Sequence, residues 1–159
     1  MEPKRWKDAK DLLSTHRCDR SLLWLEDNEV VIGAFCGDPF AREVYYVDGR
    51  TRQPTPELAS AFGMPKFRVL MNFYMIPFGI MKVMQSGANW FKAVLRVRDR
   101  FGLGTHFYRM HRENPNVEEH AKWSILYESA IPAETAERIH AAKLYDLELY
   151  AKQLDVLET

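Results

Sequence analysis

Between Lys66 and Ile76 the odd positions are all apolar, Phe67, Val69, Met71, Phe73 and Met75, whereas the even positions include Lys66, Arg68, Asn72 and Tyr74. A period of two places successive side chains on opposite faces of an extended chain, so this stretch reads as a β-strand with one buried face and one basic, polar face. A membrane helix would need roughly 20 predominantly apolar residues. Here the longest apolar run, KFRVLMNFYMIPFGIMKVM, is broken by Lys, Arg, Asn, Pro and Gly, and no span is expected. Pro77-Phe78-Gly79 reads as a bend or bulge, after which IMKVM continues as a second strand piece. Met71, Met75, Met81 and Met84 read as adaptable core filler rather than a soft-metal site.

The segments around this strand have equally distinct textures. EVVIGAFC and FAREVYYVDG look like two strands separated by the turn signal Gly37-Asp38-Pro39. Residues 50–65 form a connector with three prolines. SGANWFKAVLRVRDRFG reads as a helix, with Ser86 as cap, Gly102 as stop, and Trp90, Val94, Val97 and Phe101 at helical spacing. Lys92, Arg96 and Arg100 form a stripe on its other side, either a solvated face or a track for phosphates. Strands follow near THFYRMHR and AKWSILYE, and the chain closes with a helix from Pro132 that carries Leu147, Tyr150, Leu154 and Leu157 in an a/d-like spacing. Three organisational units are expected: a basic N-terminal arm or short helix (1–20), a β-rich domain (21–130) and an acidic C-terminal helix or tail (131–159). Five strands with one helix between the third and fourth is the order of a five-stranded OB-fold barrel, mainly β with α, whose second and third strands form an oligonucleotide-binding face.

Charge is distributed unevenly along a chain whose formal net charge is zero. Residues 66–112 hold nine Lys/Arg against the single acid Asp99, while residues 113–159 hold four against ten. A basic segment gathered on one face attracts polyanions even in a neutral protein; alternatively its charges pair with the acidic tail. Single strands are held by cations that track phosphates and by aromatic rings that stack on bases. The residues best suited to that task are Lys66, Arg68, Asn72 and Tyr74 on the central strand, Lys82 beyond the bend, Tyr46 and Arg42 on the preceding strand, and Arg109, His111 and Arg112 further on. Arg20, Arg50 and Arg52 are expected only at the rim.

Several stretches resemble the OB-fold single-stranded DNA-binding, or helix-destabilising, proteins of tailed phages. The resemblance runs through LWLEDNEVVIGAFCGDPFAREVYYVDG, KFRVLMNFYMI, IMKVMQSGANWFKAVLRVRDRFG and HFYRMHRENPNVEEHAKWSILYE, covering roughly residues 21–130. It implies sequence-independent binding of single-stranded DNA in replication, recombination or repair, in the cytoplasm of a host cell. It also implies that an acidic C-terminal segment, here with Asp146, Glu148, Asp155 and Glu158, recruits replication proteins or competes with DNA for the basic face. Two departures stand out. The zinc-binding cysteine cluster that several such proteins carry is replaced by the cysteine-free connector 50–65, so neither zinc nor any other cofactor is expected. After the basic strand, Glu113-Asn114-Pro115-Asn116 stands where a Gly- and Asp/Asn-rich loop would be.

Other functional classes find less in the residues. His106 and His111 lie on opposite parities of one strand, and Cys18 has only His16 as a sequence neighbour, so no catalytic constellation is legible. Cys18 and Cys36 suit a reducing, cytoplasmic compartment, and no basic segment followed by an apolar one opens the chain as a signal peptide would. The same barrel could instead serve as a protein-interaction module or an inhibitor of a host enzyme, marked by an exposed apolar patch. RNA as ligand and self-association through the C-terminal a/d stripe remain open partners.

Overall fold

The computed structural model describes residues 5, 6, 22, 23, 25, 29–113 and 122–157. Its strands are β1 (Val30–Val47), β2 (Arg50–Arg52), β3 (Lys66–Ile76), β4 (Ile80–Ser86), β5 (His106–Glu113) and β6 (Lys122–Ala130). The helices are α1 (Pro56–Phe62), α2 (Ala88–Phe101), α3 (Ala133–Ala141) and α4 (Leu147–Leu157). The expected N-terminal arm lies outside the described residues except for Arg5 and Trp6, as do Asn114, Pro115 and Asn116.

The chain is mainly β with helices, as expected, but the strands form an open antiparallel sheet instead of a closed five-stranded barrel. Its order is β4-β3-β1-β5-β6, with β2 paired to the far end of β1. One reason lies at Gly37-Asp38-Pro39, which does not separate two strands. There the β1–β3 register shifts between Cys36 and Phe40, so that four steps along β1 match two along β3, and pairing resumes on the same partner. A bulge of this kind bends a strand without reversing it, and Gly37, at φ 69°, supplies the left-handed backbone it needs. IMKVM likewise forms its own strand, folded back on β3 through the turn after Ile76. With the short β2 set aside, the helix α2 still falls between the third and fourth strands.

Both faces of the sheet are covered. The odd residues of β3 join the largest apolar cluster, in which Phe35, Val69, Met71, Phe73 and Met84 meet Trp90, Val94 and Val97 of α2. Apolar positions three and four apart give α2 one continuous buried stripe, and Gly102 terminates the helix at φ 81°. Gly87 rather than Ser86 precedes its first turn as cap. On the opposite face Leu70 and Val83 pack with Leu22 and with Leu147, Tyr150, Ala151 and Leu154 of α4. Burying a large apolar side chain contributes about 1.5–3 kcal/mol relative to exposure, so this face of α4 is docked by several such contributions. The last segment, expected as one helix, is thus two, with α3 placing Ile139 against a third cluster built on Ala34, Cys36, Tyr74 and Phe107.

Residues 50–65 also contain more order than their prolines suggest. Thr55 caps α1, its hydroxyl accepting from the Leu58 N–H at 3.2 Å, and Pro56 opens the helix where a missing N–H costs nothing. No helix among the described residues is long and apolar enough to cross a membrane.

Candidate nucleic-acid interface

The β1–β3 register places the expected interface residues on one face. Arg42 stands opposite Arg68, Cys36 opposite Asn72 and Ala34 opposite Tyr74. The middle of that face, expected to be open, lies beneath the C-terminal helices. Asn72 is 2% exposed and Tyr74 7% exposed. The Asn72 amide grips the backbone between α3 and α4: its Oδ1 accepts from the Tyr145 N–H at 2.9 Å and its Nδ2 donates to the Tyr145 carbonyl at 3.2 Å. Neither Asn72 nor Tyr74 reaches solvent while these helices are docked. Replacing Asn72 by leucine orphans both Tyr145 groups, and a cost of about 1–3 kcal/mol is expected. The expected signature is a lower denaturation midpoint together with faster proteolysis between residues 142 and 146.

Arg42 is held by the acidic helix. One guanidinium nitrogen donates to both carboxylate oxygens of Asp155, at 2.9 and 2.8 Å, and the other terminal nitrogen donates to Gln85 Oε1 at 3.2 Å. Directly opposed cations repel across a ladder, so the Asp155 carboxylate also offsets the Arg42–Arg68 juxtaposition. This anion contact is made at the edge of a basic face by a residue of the chain itself.

Beyond α4 the same face stays open. Arg68 Nε donates to the Tyr46 hydroxyl at 3.2 Å, and the Arg68 guanidinium and Lys66 ammonium sit 5.4 and 5.6 Å from the centre of the Tyr46 ring. Tyr46 is 36% exposed, and Lys66 is exposed. On β2 it is Thr51 that pairs with Tyr46, so the exposed Arg50 and Arg52, opposite Val47 and Tyr45, belong to the other side of this two-stranded end. An exposed aromatic ring with two cations beside it brings together the two kinds of group, an aromatic surface and positive charge, that hold single strands.

The remaining expected residues lie apart from this group. Lys82 pairs with Phe73, which puts it on the α2 side of the sheet rather than beside Tyr74. Arg109, His111 and Arg112 are on β5, which joins β1 at Val30–Gly33, the opposite end from Tyr46. There Arg109 pairs with Glu128 at 3.2 Å, His111 Nδ1 lies 3.3 Å from Glu113, and Arg112 donates to the Leu25 carbonyl at 3.4 Å. The ten residues therefore divide among a buried centre, an open end, the distant strand β5 and, for Lys82, the other side of the sheet.

Two ionisable groups beneath the helices and the sheet are perturbed. Burial pushes the Cys36 thiol from 9.0 up to about 11, a backbone hydrogen bond to Tyr74 opposing it slightly. Burial, then the nearby Tyr127, raises the Tyr108 phenol. A thiol with a raised folded pKa favours folding below its unfolded pKa, and that contribution is lost as pH climbs to the folded value. Stability is therefore expected to fall between about pH 9 and 11, and Cys36→Ala to flatten that slope in urea midpoints measured across the range.

Outside the expected set, α2 and β6 enclose a groove of about 640 Å³ lined by Arg96, Arg100, Phe101, Trp123 and Tyr127 among others. The stripe Lys92, Arg96 and Arg100 was the signal for it in the sequence; its aromatic wall was not legible, because Phe101 and Tyr127 lie 26 positions apart on different elements. Comparison with family models, curated proteins and solved structures finds no match.

Proposed function

We propose that this chain binds single-stranded nucleic acid without sequence readout, as a DNA-binding protein of replication, recombination or repair, and not as an enzyme. The observation that carries the reading is the open cluster of Tyr46 between Lys66 and Arg68, continuous with Arg42, whose guanidinium already grips a carboxylate of the acidic helix. The strand and helix order supports an OB-type arrangement, in which the face of β3 and β4 would be the binding face. On this reading Asp155 occupies an anion position, and α4 competes with the strand for the face that contains Asn72 and Tyr74. The resemblance to phage helix-destabilising proteins favours DNA, with replication proteins as further partners of the acidic helix and the host cytoplasm as the compartment.

Fluorescence anisotropy with labelled oligo-dT tests the reading. Binding is expected to weaken steeply as salt rises, log affinity falling by about 0.7 per phosphate contact for each unit of log salt. Asp155→Asn is expected to raise affinity several-fold by freeing Arg42. Failure of both the native chain and Asp155→Asn to bind at low salt would sink it.

A second reading, a protein-interaction module, is favoured by a different surface. The helix α1 buries none of its residues; its last residue, Phe62, is 57% exposed, and Met64 just beyond it is 89% exposed. A stoichiometric protein complex recovered from nuclease-treated extract, lost in Phe62→Ser with Met64→Ser, would support that reading over the first.

A further inference from the structure

The groove between α2 and β6 has a chemistry that neither core packing nor the Tyr46 cluster accounts for. At one end the rings of Phe101 and His106 each approach Tyr127, both at 5.2 Å between centres, and lie 6.2 Å from one another. Core rings would be covered, yet Phe101 is 37% and Tyr127 45% exposed. Arg100 holds its guanidinium 5.1 Å from the Phe101 ring, and Arg96, one turn earlier on the same stripe, donates from Nε to the Lys92 carbonyl at 3.4 Å. Neither Arg96 nor Arg100 makes an ion pair among the described residues. Exposed aromatic surface beside guanidinium groups that make no ion pair among the described residues matches a ligand that carries a flat ring and an anionic group together.

The helix joins this groove to the first cluster. It starts at Gly87, where a Cβ would lie 3.1 Å from Arg68 Nη1, and ends at Phe101 against Tyr127. Over that length, roughly 21 Å at 1.5 Å per residue, Lys92, Arg96 and Arg100 recur about every 6 Å. Such a row suits a ligand with regularly repeated charge better than a lone nucleotide.

We propose that the groove between α2 and β6 is a second binding site for single-stranded nucleic acid, in which Tyr127 and Phe101 stack a base and Arg96 and Arg100 hold its phosphates. The proposal rests on the nucleic-acid reading above and extends the strand's path along α2. It places contacts on the α2 side of the sheet, away from the face that α4 covers, so this site is available whether or not α4 is docked.

The test is oligo-dT anisotropy as a function of salt on the full-length native chain, Arg96→Gln with Arg100→Gln, Tyr127→Ala and Tyr127→Phe. Both arginines are exposed, so their replacement leaves the core intact. The expected result for the arginine pair is a salt slope smaller by about 1.4. Tyr127→Ala is expected to weaken binding by roughly tenfold or more, and Tyr127→Phe, which keeps the ring, to bind as the native chain does. Photocrosslinking of a 4-thiothymidine oligonucleotide into residues 96–101 or 122–127 would agree. If the native chain binds but the arginine pair keeps its affinity and slope and no crosslink falls in those residues, the groove proposal is overturned while the Tyr46 reading stands. If the native chain does not bind at all, both fall. Saturation of the groove by dTMP, read by Trp123 quenching and unimproved in longer oligonucleotides, would overturn the strand in favour of a mononucleotide pocket.

Discussion

Lys66→Glu combined with Arg68→Glu is expected to lower oligo-dT affinity at least about 100-fold at roughly 0.1 M salt, with Tyr46→Ala reducing what remains. Hydrogen bonds to charged groups contribute about 1.5–3 kcal/mol each, so two lost phosphate contacts together account for about 3 kcal/mol or more. Reversal adds repulsion to that loss, and a stacked base is worth about 1–3 kcal/mol more. The fold should tolerate the change, since Lys66 is exposed and, among the described residues, the hydrogen bonds of Arg68 go to the Tyr46 hydroxyl and its neighbour's carbonyl. Circular dichroism and thermal unfolding distinguish lost binding from lost structure. Unchanged affinity in a folded variant would remove this cluster from the interface.

Gly33→Ala is expected to be the most damaging single methyl addition in the sheet. Gly33 sits in β1 where that strand is paired on both sides, with Met75 of β3 and Tyr108 of β5. A Cβ there would lie 2.1 Å from the Tyr74 carbonyl oxygen and 2.6 Å from Cε1 of Phe73. The carbonyl cannot rotate away as a side chain would, because it belongs to the ladder. A cost of about 3 kcal/mol or more follows, at the upper end for overpacking. In a domain of this size that lowers the unfolding temperature by roughly 6–12 °C. Gly104→Ala is the control, since a Cβ at Gly104 meets nothing within 4 Å. Equal melting temperatures for the two variants would contradict the packing described around Gly33.

Much of β3 was legible because its alternation is strict on the odd side, and Phe67, Val69, Met71, Phe73 and Met75 do join or pack on the main core. The even side was read from its cations and polar groups, and the residue that qualifies that reading is Leu70. An apolar side chain midway between Arg68 and Asn72 is the mark of a second covered face, and Leu70 is 0% exposed beneath α4. Periodicity could show that α4 must bury Leu147, Tyr150 and Leu154, but not where. That choice depends on contacts more than 70 residues apart, such as Asn72 with Tyr145. Thr55-Pro56-Glu57, a capping residue, a helix-opening proline and an acid in sequence, marks α1 inside what reads as a connector. Tyr46, Lys66 and Arg68 are all expected from the sequence, but their meeting depends on the β1–β3 register, which sets Arg42 opposite Arg68 and Val44 opposite Lys66.

The double pairing of β1 also governs how the chain reaches its native state. Its partner β3 follows within a few dozen residues, whereas Val30 meets His111, 81 positions later. Closing so long a loop is slow, and during synthesis the first residues of β1, Val30–Gly33, present an unsatisfied edge until β5 has emerged. That interval is when the chain is most open to pairing with a neighbour instead of itself. Refolding is accordingly expected to proceed through an early β1–β3–β4 unit, with the amides that bond β1 to β5 acquiring exchange protection last.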